Sequence, residues 1–255
     1  MTGNKSSDEI IHCRNCADKN ALGFDFTMAF QPIINCQTKQ NFGYEALVRG
    51  LNNESAYSII SQVNDENKYL FDQLCRVKAI TLAAKLKLDS ILSINFLPNA
   101  IYEPERCIRT TLEAAKTHNF PTERIMFEFT EAEKIEDTGF VKGIVECYKS
   151  QGFTTAIDDF GAGYAGLGLL SNFQTSIVKL DMELIRDIDS DQTRQLIVKH
   201  CLNLFRDLKI TPLAEGVETR AEMLWLRNAG VELMQGYFFA KPGFECLPTI
   251  DDSCF

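Results

Sequence analysis

Short apolar runs alternate with stretches of helical periodicity along most of the chain. Apolar side chains occupy every second position from Phe24 to Phe30, and this alternation predicts a half-buried first strand. Apolar residues between 69 and 88 recur at helical spacing and predict an amphipathic helix. Further strands are predicted at Ile91–Phe96, Arg124–Phe129, Phe153–Ile157, Ser176–Leu180, Ile210–Ala214 and Val231–Met234. Further helices are predicted near 105–119, 138–150 and 192–208, and after the capping box Thr219-x-x-Glu222.

The regular alternation of strands and helices, without a Pro- or Ser-rich linker inside it, predicts an α/β fold. Eight such units in about 230 residues match a (β/α)8 barrel, which is our prediction. An open doubly wound sheet is the alternative, but no Gly-rich dinucleotide-binding motif follows the first strand. We expect residues 1–23 to form a polar N-terminal arm, residues 24–250 the barrel domain, and residues 251–255 a tail.

Polar side chains interrupt the ends of the predicted strands, although buried parallel strands are usually apolar throughout. These residues are Glu45, Asn95, Glu128, Asp158, Asp159, Lys179, Glu215 and Gln235. Because the C-terminal ends of barrel strands converge on one mouth, we expect these side chains to meet in space. Any one of them alone would suit a solvated loop residue, but their repetition over seven strands favours a common site.

The predicted cluster suits hard metal ions, because packed carboxylates repel one another and need cations or protons. Carboxylate oxygens and the carbonyl of Asn95 favour Mg²⁺ or Mn²⁺. The adjacent Asp158 and Asp159 suit two metals that share a carboxylate, an arrangement that activates water for in-line phosphoryl displacement. Lys179 is the only strongly basic member. It is a candidate for orienting or deprotonating that water, or for neutralising charge on phosphorus.

The composition restricts the partners and the compartment. The net charge of −9, from 26 basic and 35 acidic residues, disfavours DNA, RNA and anionic lipid, but a small phosphorylated ligand held through metals stays possible. No apolar run approaches the ~20 residues that span a bilayer, and the polar start does not resemble a signal peptide, so we expect a cytoplasmic protein. Cys13 and Cys16 in the arm are expected to be free thiols, with a zinc site as the alternative.

Eight short motifs occur in the order and spacing of one known family. They are Phe30–Ile33, Tyr44–Arg49, Asn95, Glu128–Glu131, Asp158–Tyr164, Lys179–Asp181, Glu215–Thr219 and Gln235–Tyr237. Over about residues 24–244 the chain therefore resembles the EAL-domain cyclic di-GMP phosphodiesterases. Its fuller stretches are most similar to EAL domains attached to BLUF blue-light sensors. Because about 23 residues precede the domain, too few for such a sensor, we expect a stand-alone enzyme or a fragment.

The resemblance implies a TIM-like barrel whose first strand runs antiparallel to the others, and hydrolysis of cyclic di-GMP to linear pGpG. The implied ligands of two divalent cations, Mg²⁺ or Mn²⁺, are Glu45, Asn95, Glu128, Asp158, Asp159 and Glu215, with Asp158 bridging. The implied catalytic and supporting residues are Lys179, Glu131, Glu218 and Gln235. The implied substrate contacts are Gln31, Leu47, Arg49 and Asp159. A homodimer through the loop and helix near 160–190 is implied as well.

Departures from the family pattern leave every implied ligand in place. They are the loop continuation Ala165-Gly166-Leu167, Leu97 and Gly50. The alternative function is a catalytically silent EAL module that only binds cyclic di-GMP or a protein, which predicts a missing acid or lysine, and none is missing. A third possibility, a lyase of the enolase type, would want a second Lys or a His at a strand end, and none is evident.

Overall fold

An antiparallel pair of strands opens the fold. The computed structural model describes residues 22–97, 104–129, 138–162 and 166–255. Strand β1 is Thr27–Asn35 and strand β2 is Gln40–Arg49. The alternating aromatic residues Phe24 and Phe26 precede β1 and pack against the ring of Phe71. The strand therefore begins later than predicted, because Phe24 and Phe26 pack against a helix and precede the paired residues of the ladder.

The remaining strands follow in chain order and close on β1. They are β3 (Ile91–Phe96), β4 (Ile125–Phe129), β5 (Thr154–Phe160), β6 (Ile177–Leu180), β7 (Thr211–Ala214), β8 (Leu233–Met234) and β9 (Gly243–Phe244). Strands β2 to β8 pair in parallel, whereas β1 pairs antiparallel with both β2 and β8. Eight strands thus form a closed barrel, and β9 adds a short strand beside β1. This confirms the TIM-like (β/α)8 barrel with an antiparallel first strand and excludes the open sheet.

Helices occupy the connections between the strands. They are α1 (Ala56–Ile60), α2 (Lys68–Lys85), α3 (Pro104–Cys107), α4 (Arg109–Thr117), α5 (Thr138–Ser150), α6 (Leu167–Asn172), α7 (Met182–Ile185), α8 (Gln192–Leu208) and α9 (Arg220–Asn228). The capping box of Thr219 and Glu222 at the start of α9 is confirmed. The helix predicted near 105–119 is divided into α3 and α4. Three short helices, α1, α6 and α7, were not predicted, since four to six residues are too few to show a helical period. None of the helices in the described parts is long and apolar enough to cross a membrane.

Two apolar layers hold the barrel together. The larger one lies between the strands and the helices, where Phe127 packs against Phe96, Tyr148 and Phe153 with ring centroids 5.0–5.8 Å apart. The smaller one, named here the barrel floor, consists of Ile33, Met126, Ala156, Ile177, Leu213 and Leu233. These six side chains come from six different strands and are buried, so they fill one end of the barrel.

Of the two predicted terminal segments, the structure describes the C-terminal tail and only the last two residues of the N-terminal arm. Residues 1–21 of the predicted arm, with Cys13 and Cys16, lie outside the described residues. The predicted tail 251–255 contacts the barrel domain. The ring of Phe255 lies 6.4 Å from that of Phe239, and the carbonyl of Ser253 accepts a hydrogen bond from Arg220 at 3.1 Å.

Gly236 offers a test of the close packing beside β8. A Cβ atom at this position would lie 2.0 Å from the backbone oxygen of Val217, so the backbone would have to move. We expect Gly236→Ala to lower the free energy of unfolding by roughly 1–3 kcal/mol in urea denaturation. The matched control is Gly143→Ala in α5, where a Cβ atom meets nothing within 4 Å. That change should raise the free energy of unfolding by roughly 0.5–1 kcal/mol. Wild-type stability of Gly236→Ala would contradict the packing described.

Candidate active site

The period of two along each strand places polar side chains directly above the barrel floor. Met126 of the floor and Glu128 lie on the same face of β4, as do Ile177 and Lys179 on β6. The same step of two relates Ala156 to Asp158, Leu213 to Glu215 and Leu233 to Gln235. Each of these five strands therefore contributes an apolar residue to the floor and a polar residue near or directly after its C-terminal end. As predicted, polar side chains from different strands lie close together in the structure.

Lys179 is the cation around which the acidic side chains are arranged. Its side chain is 1% exposed, and its Nζ lies 2.8 Å from a carboxylate oxygen of each of Glu128, Asp158 and Glu215. Oε2 of Glu45 is 3.7 Å from the same nitrogen. A buried ammonium needs such partners, because removing an unpaired charge from water is costly.

The excess of negative charge shifts the proton affinities of the cluster. Burial raises the pKa of Glu128 well above its usual value; Lys179 opposes this shift, while Glu45 and Asp158 add to it. Burial raises the pKa of Glu215 in the same way. Burial alone would lower the pKa of Lys179, but the surrounding carboxylates, Asp158 foremost, raise it well above its usual value. The lysine is therefore charged, and the cluster as a whole is short of positive charge.

Hydrogen bonds fix both oxygens of Glu45. Nδ2 of Asn95 donates to Oε1 at 2.6 Å, and Nε2 of Gln235 donates to Oε2 at 2.7 Å. Gln235 also donates to Gln31 at 3.2 Å, and Gln31 donates to the carbonyl of Ala240 at 3.2 Å. Because Asn95 uses its amide nitrogen on Glu45, this contact leaves its carbonyl oxygen for another partner.

Three of the acids are close enough together to hold one cation. One carboxylate oxygen from each of Asp158, Asp159 and Glu215 lies within 4.8 Å of the other two. Oδ1 of Asp158 is buried and makes no hydrogen bond within the described residues, although it forms an ion pair with Lys179. Oε1 of Gln235 is likewise buried without a hydrogen bond to any described residue. Both atoms therefore have spare capacity to accept a ligand.

The charges of the cluster fit two divalent cations. Counting Glu45 and Glu128 with these three acids, the cluster contains five carboxylates and one ammonium, and all of the carboxylates except that of Asp159 form ion pairs with Lys179 in the structure described. If all are ionised, the formal excess is four negative charges, which two divalent cations would bring to zero. Oxygen donors of this kind suit Mg²⁺ and Mn²⁺ rather than soft metals.

A cavity of about 250 Å³ opens beside the carboxylates. Its lining includes Gln31, Glu45, Asp159, Asp181, Glu215, Glu218, Gln235 and Tyr237. Glu218 is exposed there and forms an ion pair with Arg186, whose hydrogen bond lowers the pKa of Glu218. The structure thus places Glu218 beside the cavity and pairs it with Arg186, outside the group of acids around Lys179.

Two of the predicted substrate contacts, Leu47 and Arg49, are not among the residues that line the cavity beside the carboxylates. Leu47 lines a second, mainly apolar cavity of about 320 Å³, which shares Asn95 and Asp159 with the site. Arg49 ends β2 and donates from Nη1 to the carbonyl of Val48 at 2.7 Å. Contact of Leu47 or Arg49 with a ligand stays a prediction.

Sequence reasoning missed one residue of the site and named some that lie outside the described residues. The missed residue is Ser93, whose hydroxyl donates a hydrogen bond to Glu128. Ser93 precedes Asn95 by two positions on β3, so the strand alternation was the signal that could have found it. Glu131 and the loop residues 163–165 lie outside the described residues.

The geometry of the site agrees with the family resemblance noted in the sequence. The family model described as the EAL domain matches residues 19–242. The chain belongs to the EAL domain family. Among solved EAL structures, a standalone protein from Vibrio cholerae O395 in its c-di-GMP-bound form is 73% identical, with a TM-score of 0.89. The match covers 91% of this chain and 98% of that one.

Other relatives of this EAL domain are more distant and longer. BlrP1 of Klebsiella pneumoniae, solved with calcium and cyclic di-GMP, is 33% identical with a TM-score of 0.83, covering 90% of this chain and 58% of that one. The blue light- and temperature-regulated antirepressor BluF of Escherichia coli K12 is 34% identical, covering 87% of this chain and 55% of BluF. PdeN of the same strain, named a probable cyclic di-GMP phosphodiesterase, is 27% identical, covering 85% of this chain and 43% of PdeN. The chain thus spans about half the length of these two curated relatives.

The raised proton affinities predict how stability depends on pH when metal is removed with a chelator. Glu128 and Glu215 have higher pKa values in the folded chain than the ordinary 4.5 of an unfolded one. Their contribution to stability is therefore present below pH 4.5 and is lost as the pH rises through the raised values. We expect Glu215→Gln to flatten this fall in the urea midpoint between about pH 5 and pH 8. The exposed Glu146→Gln should leave the profile unchanged, and parallel profiles of Glu215→Gln and wild type would contradict the interpretation.

Proposed function

We propose that this EAL domain hydrolyses cyclic di-GMP to linear pGpG with two divalent cations, Mg²⁺ or Mn²⁺. The observation that carries the proposal is the cluster of four carboxylates around Lys179, with the carboxylate of Asp159 beside two of them, at the C-terminal ends of the barrel strands. The Vibrio cholerae and Klebsiella relatives solved with cyclic di-GMP and the name of PdeN support the choice of substrate.

The proposed roles follow from where the side chains lie. The residues that would hold the cations are Glu45, Asn95, Glu128, Asp158, Asp159 and Glu215. When bound, the cations supply an activated water and neutralise charge on the scissile phosphate. Nζ of Lys179 is protonated among its carboxylate neighbours, which suits a donor that orients the water or neutralises charge on phosphorus.

Further residues would position the substrate and the cluster. Gln235 holds Glu45 and Gln31 through its amide, and its free Oε1 can accept a hydrogen bond from a water. Arg49 would bind a phosphate through paired donors, and Leu47 would contact a base. Gln31 and Asp159 line the cavity in which the substrate would lie. Glu218, beside that cavity, and Glu131 would support the ligands and the loop at 160–168.

The similarity to BluF favours a second candidate function. BluF is named an antirepressor, which describes a regulatory partner rather than a hydrolase. By this analogy the chain would bind cyclic di-GMP or a protein without turnover. The complete set of acids and the lysine supports the hydrolase instead, because a module that only binds would not need to keep a buried and costly cluster of like charges.

The hydrolase proposal is tested by turnover. The purified chain with Mg²⁺ or Mn²⁺ should convert cyclic di-GMP to pGpG, as measured by chromatography. Glu45→Ala should reduce the product below detection, because it removes a metal ligand and the anchor of Asn95 and Gln235. The control is Glu146→Gln on α5, which should retain wild-type turnover. Tight binding of cyclic di-GMP without turnover in either metal would contradict the hydrolase and favour the silent module.

A homodimer through residues near 160–190 is part of the proposal and is tested separately. Leu167 of α6 and Met182 of α7 are 63% and 43% exposed, so two large apolar side chains in this region face water. We expect sedimentation velocity to give a dimer and Leu167→Glu/Met182→Glu to give a monomer, because buried charges oppose association. The matched control is Tyr57→Glu on α1, an exposed residue outside the region. A wild-type chain that sediments as a monomer at micromolar concentration would contradict the dimer.

A further inference from the structure

A buried ion pair lies behind the site, on the inner face of α2. Arg76 is 1% exposed, and its Nη2 lies 2.6 Å from Oδ2 of Asp72, one helical turn earlier. Both side chains are closed off from water, with 1% and 2% of their side-chain surface exposed. A buried pair of this kind rarely stabilises a fold more than apolar residues of the same volume would. Its presence therefore calls for a role other than stability.

The pair joins the chain on both sides of the connection that follows β3. Oδ1 of Asp72 accepts a hydrogen bond from the backbone N–H of Leu97 at 3.1 Å. Nη1 of Arg76 donates to the carbonyl of Cys107 and to the hydroxyl of Thr111, each at 3.3 Å. One ion pair thus holds the residue just after β3 and the end of α3.

The hydrogen bond between Leu97 and Asp72 comes directly after the last residue pair of the β3–β4 ladder. Strand β3 pairs with β4 as far as Phe96 opposite Phe129. The next amide, that of Leu97, donates to Asp72. Asn95 lies two residues earlier and donates to Glu45 at 2.6 Å. The position of the carboxylate of Asp72 therefore bears on the position of Asn95, and through it on Glu45.

We propose that the Asp72–Arg76 pair is a positioning device that holds the Asn95 end of β3 in place for metal binding by Asn95 and Glu45. The inference rests on the proposed metal-dependent function. Asp72 and Arg76 act through Leu97 and are positioning residues. Loss of residues that orient metal ligands typically weakens metal affinity by about 10–100-fold.

The test separates positioning from stability with two double variants. Asp72→Leu/Arg76→Met replaces the pair by apolar side chains and removes the acceptor for Leu97. Asp72→Asn/Arg76→Met also removes both charges but keeps one side-chain oxygen that can accept from Leu97. Each is compared with wild type and with Glu146→Gln, which alters the exposed pair with Lys142. The measurements are the urea midpoint, the Mn²⁺ dissociation constant by calorimetry without cyclic di-GMP, and exchange of the Leu97 amide by NMR.

We expect Asp72→Leu/Arg76→Met to fold but to bind Mn²⁺ about 10-fold or more weakly, with faster exchange at Leu97. Asp72→Asn/Arg76→Met should recover most of the affinity. Wild-type affinity in the Leu/Met variant, or equal losses in both variants, would overturn the proposal. Should the Leu/Met variant not fold, an unprotected Leu97 amide in the wild type would overturn it, and a protected one together with wild-type affinity in the Asn/Met variant would support it.

The outcomes also separate this inference from the proposed reaction. A wild-type chain that binds Mn²⁺ but does not hydrolyse cyclic di-GMP refutes the reaction and leaves the positioning test in force, because that test needs no turnover. A wild-type chain that binds neither Mn²⁺ nor Mg²⁺ overturns both.

Discussion

The ammonium of Lys179 among its carboxylates is the interaction on which the arrangement of the site depends. Closing a parallel barrel brings the C-terminal ends of the strands together, and here four of those ends carry buried or half-buried acids. Without a cation these like charges would oppose the closure that brings them together. Fold and site are therefore coupled through charge, and the same imbalance that raises the pKa of Glu128 and Glu215 makes the cluster receptive to metal.

Around this centre, hydrogen bonds hold the acids in place, and further hydrogen bonds hold the residues that make them. Nearest to the acids, Asn95 and Gln235 hold Glu45, and Ser93 holds Glu128. Farther out, Gln31 links Gln235 to the backbone near the C-terminus. Such supports restrict the rotamers of the acids, so the cluster does not rely on attraction to Lys179 alone.

The sequence predicted the barrel and the central acids because both follow from local rules. The alternation of strand and helix indicates the barrel, and an acid at position i+2 from a floor residue such as Met126 or Leu213 must face the same interior. Other features depend on tertiary contacts that no local pattern shows. Asp72 and Arg76 have the spacing of an ordinary surface pair, one turn apart on a helix, and only the packing of α2 reveals their burial.

The sequence also could not predict the direction of side chains outside the strands. Glu218 belongs to the same motif as Glu215, yet it turns away to Arg186, because a loop residue is not bound by the strand alternation. The short helices α1, α6 and α7 could not be predicted from the sequence, because a helical period needs more than one turn to appear. The side chains inside the barrel could thus be predicted from the sequence, whereas the loops and short helices at its rim could be described only from the structure.

The barrel floor has a consequence for the flow of molecules through the site. Because Ile33, Met126 and Leu213, with three further apolar residues, plug the far end, whatever enters between the strand ends has to leave by the same opening. In the proposed reaction, the linear dinucleotide would dissociate through the same opening by which the cyclic dinucleotide binds. Reactant and product would therefore use the same route between the cavity and the solvent.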